Sequence, residues 1–241
     1  MYKKAIDISK YQVGLQIEDV KERLGINDVI IRMGYAFEYD KCFKEFYNKA
    51  KELKMNVGCY WCLSGVVDVE SQLKIFATYL KNLSFELPIF IDIEPYMKKN
   101  VNQWKSILRK FITSLEEDNY FAGIYASQDT YNVCDLGKEF KDTYKWIARY
   151  SIQEPTIEEW DMWQYNDDTV YSFYMRNAID MNFIKNDVSK IIKEKGMNNV
   201  ELENQNVIFN RQVDLMFELL KQAKQSGYDA ELLDKVGLQY K

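Results

Sequence analysis

The stretch Pro88-Ile89-Phe90-Ile91-Asp92-Ile93-Glu94-Pro95 constrains the fold more than any other. Its apolar, β-branched run reads as a buried strand, and the closing proline stops it. Asp92 and Glu94 stand in an i, i+2 relation, which puts both on one face with Cα atoms roughly 6.5 Å apart. An unpaired carboxylate costs several kcal/mol to bury, so a pair of acids inside such a run needs a reason. Strand ends are where α/β barrels carry their chemistry. In isolation, two acids at this spacing would read as a solvated strand end. The rest of the chain changes that balance.

Strands and helices alternate through the first half. Strand patterns fall at Lys4–Ile8, Val29–Tyr35, Asn56–Cys62, the stretch above, and Phe121–Ser127. Helical periodicity follows each one: Gln16–Leu24, Asp40–Leu53, Val69–Leu83, a helix starting after Asn100, and a partly helical Gln128–Phe140. Asn100 and Gln103 have the spacing of a capping box. Phe43, Phe46, Tyr47, Ala50 and Leu53 form one apolar stripe, and Val101, Trp104, Leu108, Phe111, Ile112 and Leu115 form another. Three further strands, Tyr144–Tyr150, Asp161–Tyr165 and Ala178–Ile184, follow without helical periodicity between them, before a closing helix at Asp187–Lys195. The expected fold is α/β: an irregular, flattened β/α barrel of about eight strands, five in β-α alternation and the last three without intervening helices.

Composition narrows the function. The net charge of −5 argues against a nucleic-acid binder, and no apolar run nears the ~20 residues that span a bilayer. The charged N-terminus does not resemble a signal peptide. With no histidine in 241 residues, the common zinc sites and every catalytic arrangement that relies on histidine are excluded. Cys59 and Cys62 make a lone C-x-x-C within a strand, where they face opposite ways, so all four cysteines are read as reduced. No metal and no cofactor are expected.

Acids recur at strand ends: Asp7 on the first strand, Asp92 and Glu94 on the fourth, and Asp180 on the eighth. Closing the barrel makes the first and last strands neighbours, which brings Asp7 toward Asp180. Tyr60, Trp61, Tyr125, Tyr150, Trp163 and Tyr165 also lie on candidate strands. Glycosidic-bond hydrolysis needs one protonated acid and a second negative group against an oxocarbenium-like charge. Crowded carboxylates supply both, because their repulsion raises one pKa.

Several blocks resemble, in order and spacing, glycoside hydrolase family 25, the Chalaropsis-type lysozymes. They are Asp7–Gln12, Ile30–Tyr35, Gly58–Trp61, Pro88–Glu94, Gly123–Ser127, Lys145–Tyr150, Met162–Tyr165 and Ile179–Asn182. The resemblance spans about residues 4–190. It implies cleavage of the β-1,4 bond from N-acetylmuramic acid to N-acetylglucosamine in bacterial peptidoglycan, in the manner of a phage endolysin. By motif, Glu94 matches the general acid. Asp92 matches the residue that assists at the anomeric centre, either directly or by orienting the acetamido group. Asp7 and Asp180 match flanking acids, and Tyr60, Tyr125, Trp163 and Gln164 match groove-lining positions. Trp61 stands where the family often has histidine, and the loop 169–177, with Tyr171, Phe173 and Tyr174, lacks the family's usual glycines.

The resemblance places a catalytic domain at residues 1–195, and residues 196–241 read from their own pattern as a polar linker and a helical hairpin tail. Docking of the tail on the barrel ranks ahead of wall anchoring or self-association. A catalytically silent glycan-binding barrel and a glycosidase of chitin-like polymers remain alternatives. The expected setting is the host cytoplasm until release, then the bacterial wall, with neither nucleic acid nor membrane as partner.

Overall fold

The structure, a computed structural model, describes residues 2–65, 67–93, 100–168 and 178–200. Glu94, the aromatics of the 169–177 loop and the helices expected in the tail lie outside the described residues.

In chain order the elements are β1 (Lys3–Ile8), α1 (Ile17–Leu24), β2 (Asp28–Tyr35), β3 (Glu38–Tyr39), α2 (Phe43–Glu52), β4 (Asn56–Cys62) and α3 (Val69–Leu80). Then come β5 (Ile89–Asp92), α4 (Val101–Glu117), β6 (Ala122–Ser127), α5 (Gln128–Val133), α6 (Leu136–Glu139), β7 (Tyr144–Ala148), β8 (Met162–Asp168), β9 (Ile179–Ile184) and α7 (Ser189–Glu194). The sheet runs β1-β9-β8-β7-β6-β5-β4-β2-β3, and a further β1–β2 pairing closes it. Eight strands therefore form a mixed barrel, with β3 a short flap on β2 that the sequence pattern did not reveal.

Neighbouring strands from β1 through β8 pair in parallel around the ring, whereas β9 is antiparallel to both β8 and β1. Parallel neighbours need a long crossover, usually a helix. The first five barrel strands each have one. From β7 to β8 the chain crosses by an irregular segment, residues 149–161, which explains the missing helical periodicity there.

The strand alternation sorts residues into two apolar layers. Inside the barrel lie Ala5, Ile30, Phe90, Tyr144, Trp146, Met162 and Ile184. Between barrel and helices lie Ile6, Ile8, Val29, Ile31, Val57, Ile89, Ile91 and Ile124. Both faces are buried, so the parallel strands read as continuous apolar runs. Gly123 permits the interior packing, since a Cβ there would stand 2.6 Å from the Phe90 ring. Of the expected stripes the helices bury Phe43, Phe46, Tyr47 and Ala50 on α2 and Trp104, Leu108, Phe111, Ile112 and Leu115 on α4, where Ile107 joins them, while Leu53 and Val101 are half-buried. The Asn100–Gln103 capping box forms, with both bonds at 3.0 Å. Among the described residues no helix is long and apolar enough to cross a membrane.

Residues 196–200, polar enough to read as the start of a linker, pack against the barrel, and the compact unit runs to Val200. Asn198 is fully buried. Its Oδ1 accepts from Phe121 N–H at 2.7 Å and its Nδ2 donates to the Leu87 carbonyl at 2.9 Å. A polar side chain with every group bonded is stable in the interior, so polarity alone did not signal exposure here.

Candidate active site

The cleft opens at the carboxyl ends of the parallel strands. Asp7 lies near the end of β1 and Asp92 is the last residue of β5. Asp180 is the second residue of β9, and because β9 runs the opposite way its beginning lies at the same mouth. Asp7 and Asp180 are direct partners across the β1–β9 ladder. The cavity holds about 520 Å³, and its walls include Asp7, Arg32, Tyr60, Asp92, Tyr125 and Asp180.

Asp7 is 4% exposed and sits at the centre of a hydrogen-bond network. Its Oδ2 accepts from Gln164 Nε2 at 2.9 Å and from Asn182 Nδ2 at 2.8 Å. Trp146 Nε1 donates to Asn182 Oδ1 at 2.8 Å, which fixes that amide's orientation. Tyr125 and Tyr150 hydroxyls donate to Gln164 Oε1 at 2.7 and 3.2 Å, which fixes the other. Burial raises the Asp7 pKa well above the ordinary carboxylate range, and the Asp180 charge adds to this. The Asn182 and Gln164 amides oppose the rise, while Asp92 reinforces it. Two donors occupy Oδ2, so a proton on this carboxyl belongs on Oδ1. Burial raises the Tyr60 and Tyr125 phenols as well, with Asp7 and Asp92 contributing to both.

This environment has a measurable consequence. A buried carboxyl with a raised pKa favours its protonated form in the fold. Its contribution is fully present below the unfolded value near 4 and is lost as pH rises through the higher folded value. Asp7→Asn keeps the shape and an oxygen for both amide donors but never ionises. Its melting temperature should exceed that of the wild type at pH 7 by a few degrees, and the gain should vanish below about pH 4. A gain independent of pH in thermal denaturation would contradict a charge effect.

The structure brings together Asp7, Asp92, Asp180, Tyr60, Tyr125 and Gln164 from the residues singled out in the sequence. Trp163 is placed elsewhere. Gln164 faces the interior, so Trp163 faces outward, 4% exposed, and packs against Trp160, Tyr165 and Phe183. Its Nε1 donates to the Arg149 carbonyl at 2.7 Å. Trp163→Phe should therefore cost about 1–3 kcal/mol of stability through the lost bond, with KM for glycan unchanged. A raised KM at undiminished stability would restore Trp163 to the cleft. Trp61 also faces outward, stacked on Phe76 at 5.2 Å, so it forms no part of the groove floor.

Sequence reasoning passed over Trp146, Asn182, Arg32 and Asp40. Asn182 stands two residues beyond Asp180 and Arg32 two beyond Ile30, so the period of two was the available signal. Cys59 faces the helices and Cys62 the cleft, as a strand requires, and among the described residues none of the four cysteines forms a disulfide.

A barrel with acids from three strands at one mouth matches a known family. The family described as Glycosyl hydrolases family 25 matches residues 6–172. A family 25 glycosyl hydrolase from Bacillus anthracis aligns with TM-score 0.67 at 22% identity, over 77% of this chain and 90% of that one. The bacterial lysozyme from Streptomyces coelicolor aligns with TM-score 0.66 at 18% identity, over 83% and 98%. The catalytic domain of endolysin ply40, from bacteriophage P40 of Listeria monocytogenes, aligns with TM-score 0.63 at 21% identity, over 80% and 98%. No curated protein matches the sequence significantly. Such low identities speak for the fold, and the family match, over more than half of the chain, speaks for descent. The chain therefore belongs to glycosyl hydrolases family 25 and is a glycoside hydrolase.

Proposed function

We propose that this glycoside hydrolase is a muramidase that cleaves the β-1,4 bond between N-acetylmuramic acid and N-acetylglucosamine in bacterial peptidoglycan. The observation that carries the proposal is the buried Asp7 carboxyl, paired across the ladder with Asp180 and under the field of Asp92 in the same cleft. Burial and the neighbouring like charges of Asp180 and Asp92 both favour the protonated form of a carboxyl in this cluster. In this reading Glu94, two residues beyond Asp92, delivers a proton to the leaving glycosidic oxygen. Asp92 meets the positive charge that develops at the anomeric carbon, and Asp7 and Asp180 hold the surrounding field and bind sugar. Tyr60, Tyr125 and Gln164 line the groove. Relatives named as a lysozyme and an endolysin support a wall substrate and action at the bacterial cell wall.

The test is digestion of purified peptidoglycan, followed by borohydride reduction and mass spectrometry of the new reducing ends. New muramitol ends are expected. New glucosaminitol ends would make the protein a glucosaminidase, and no new ends would make it a glycan-binding barrel.

A further inference from the structure

We infer that Arg32, together with Lys10 and Tyr11, forms a carboxylate subsite on the cleft wall that selects glycan bearing an acidic substituent. This rests on the muramidase reading and adds to it the feature of the substrate that is recognised.

The cleft is predominantly acidic: Asp7, Glu38, Asp40, Asp92 and Asp180 line it, against the cations Lys10 and Arg32. A neutral sugar polymer needs no cation there. A sugar carrying a carboxylate is repelled by the acid cluster unless a positive group receives it. Arg32 is placed for this. It projects from β2 at the level of Tyr60, its partner on β4, and Tyr60 senses Arg32 together with Asp7 and Asp92. The cation therefore adjoins the acids across one tyrosine.

Its surroundings hold it rigidly. The Arg32 side chain is 13% exposed, and its Nε donates to Asp40 Oδ2 at 2.8 Å. Asp40 is itself fixed, since it also accepts from the Lys10 and Cys42 backbone N–H groups, each at 3.0 Å. Among the described residues the hydrogen bond of Arg32 leaves from Nε, so the two terminal nitrogens of the fork remain for an incoming acceptor. A planar fork anchored at one edge suits a carboxylate at the other. Tyr11, 67% exposed at the rim, brings the cations together: Arg32 Cζ lies 4.9 Å and Lys10 Nζ 5.8 Å from its ring centre. A purely structural ion pair would need neither the second cation nor a place in the cleft.

Peptidoglycan offers this chemistry from two sources, the lactyl carboxylate of peptide-free muramic acid and the carboxylates of the stem peptide. The test uses the full chain on soluble glycan strands in three forms. One keeps its stem peptides, one is stripped to the lactyl acid, and one has its carboxylates converted to amides with carbodiimide and ammonia. Arg32→Gln should raise KM about tenfold to a hundredfold on carboxylated strands, with kcat little changed, and should leave the amidated strands unaffected. Arg32→Lys should fall between, and Lys10→Gln should raise KM on the same strands by a smaller factor. A rise confined to peptide-bearing strands assigns the stem peptide as the source, and one on stripped strands assigns the lactyl group. An equal rise on amidated strands, or no rise on any, overturns the subsite while leaving the muramidase reading intact. If Arg32→Gln fails to fold, the same contrast is read from the Arg32→Lys and Lys10→Gln variants. A wild-type protein that yields no muramitol ends from any strand refutes both.

Discussion

Glu94→Gln should lower kcat on peptidoglycan by about a thousandfold or more, with fold and glycan affinity retained. Positioned proton transfer contributes roughly 10²–10⁴-fold to such reactions. Glutamine keeps the shape of glutamate and can still hydrogen-bond to the sugar, but it has no transferable proton. The loss should depend on the leaving group. A natural glycosidic oxygen leaves as an alkoxide unless protonated, whereas an aryl leaving group of low pKa needs little help. Glu94→Gln should therefore recover most of its deficit on an activated aryl glycoside. Turnover of natural strands within tenfold of the wild type would remove Glu94 from the role of acid. So would an equal deficit on both substrates.

Asp92→Asn should be nearly as damaging, by about 10²–10³-fold in kcat, but without dependence on the leaving group. Asp92 is 4% exposed and closes β5, level with Cys62 on one side and Tyr125 on the other. A negative group there acts on charge at the anomeric carbon, and that charge develops whichever group departs. The aryl glycoside should not rescue this variant. A rescue as complete as that of Glu94→Gln would mean that Asp92 assists proton delivery instead. Asp7→Asn and Asp180→Asn should be milder in kcat, since they act through the field of the cluster.

These assignments differ in how directly the chain reveals them. Asp92 was legible because a carboxylate at the end of an apolar strand is conspicuous. Asp7 and Asp180 were legible once barrel closure made β1 and β9 neighbours, and the ladder pairs them residue to residue. Trp163 was misleading: it sits in a block that resembles the family's groove, yet it packs outward, while Trp146 stands inside the barrel and orients Asn182. Asn198 misled in the other direction, as a polar residue that proves wholly buried.

The sequence by itself determined the eight barrel strands, the helices between them and their order, because the period of a pattern and the signals that end it are local properties of the chain. It also determined that Cys59 and Cys62 face apart, since alternation along a strand is fixed by backbone geometry. Which face points inward was decided only by the tertiary structure. Where both faces of a strand are apolar, the pattern is the same whichever way the strand is turned. Closure of the ring, with β9 reversed, broke that symmetry. It turned Gln164, Asn182 and Trp146 toward Asp7 and sent Trp61 and Trp163 out to the surrounding layer.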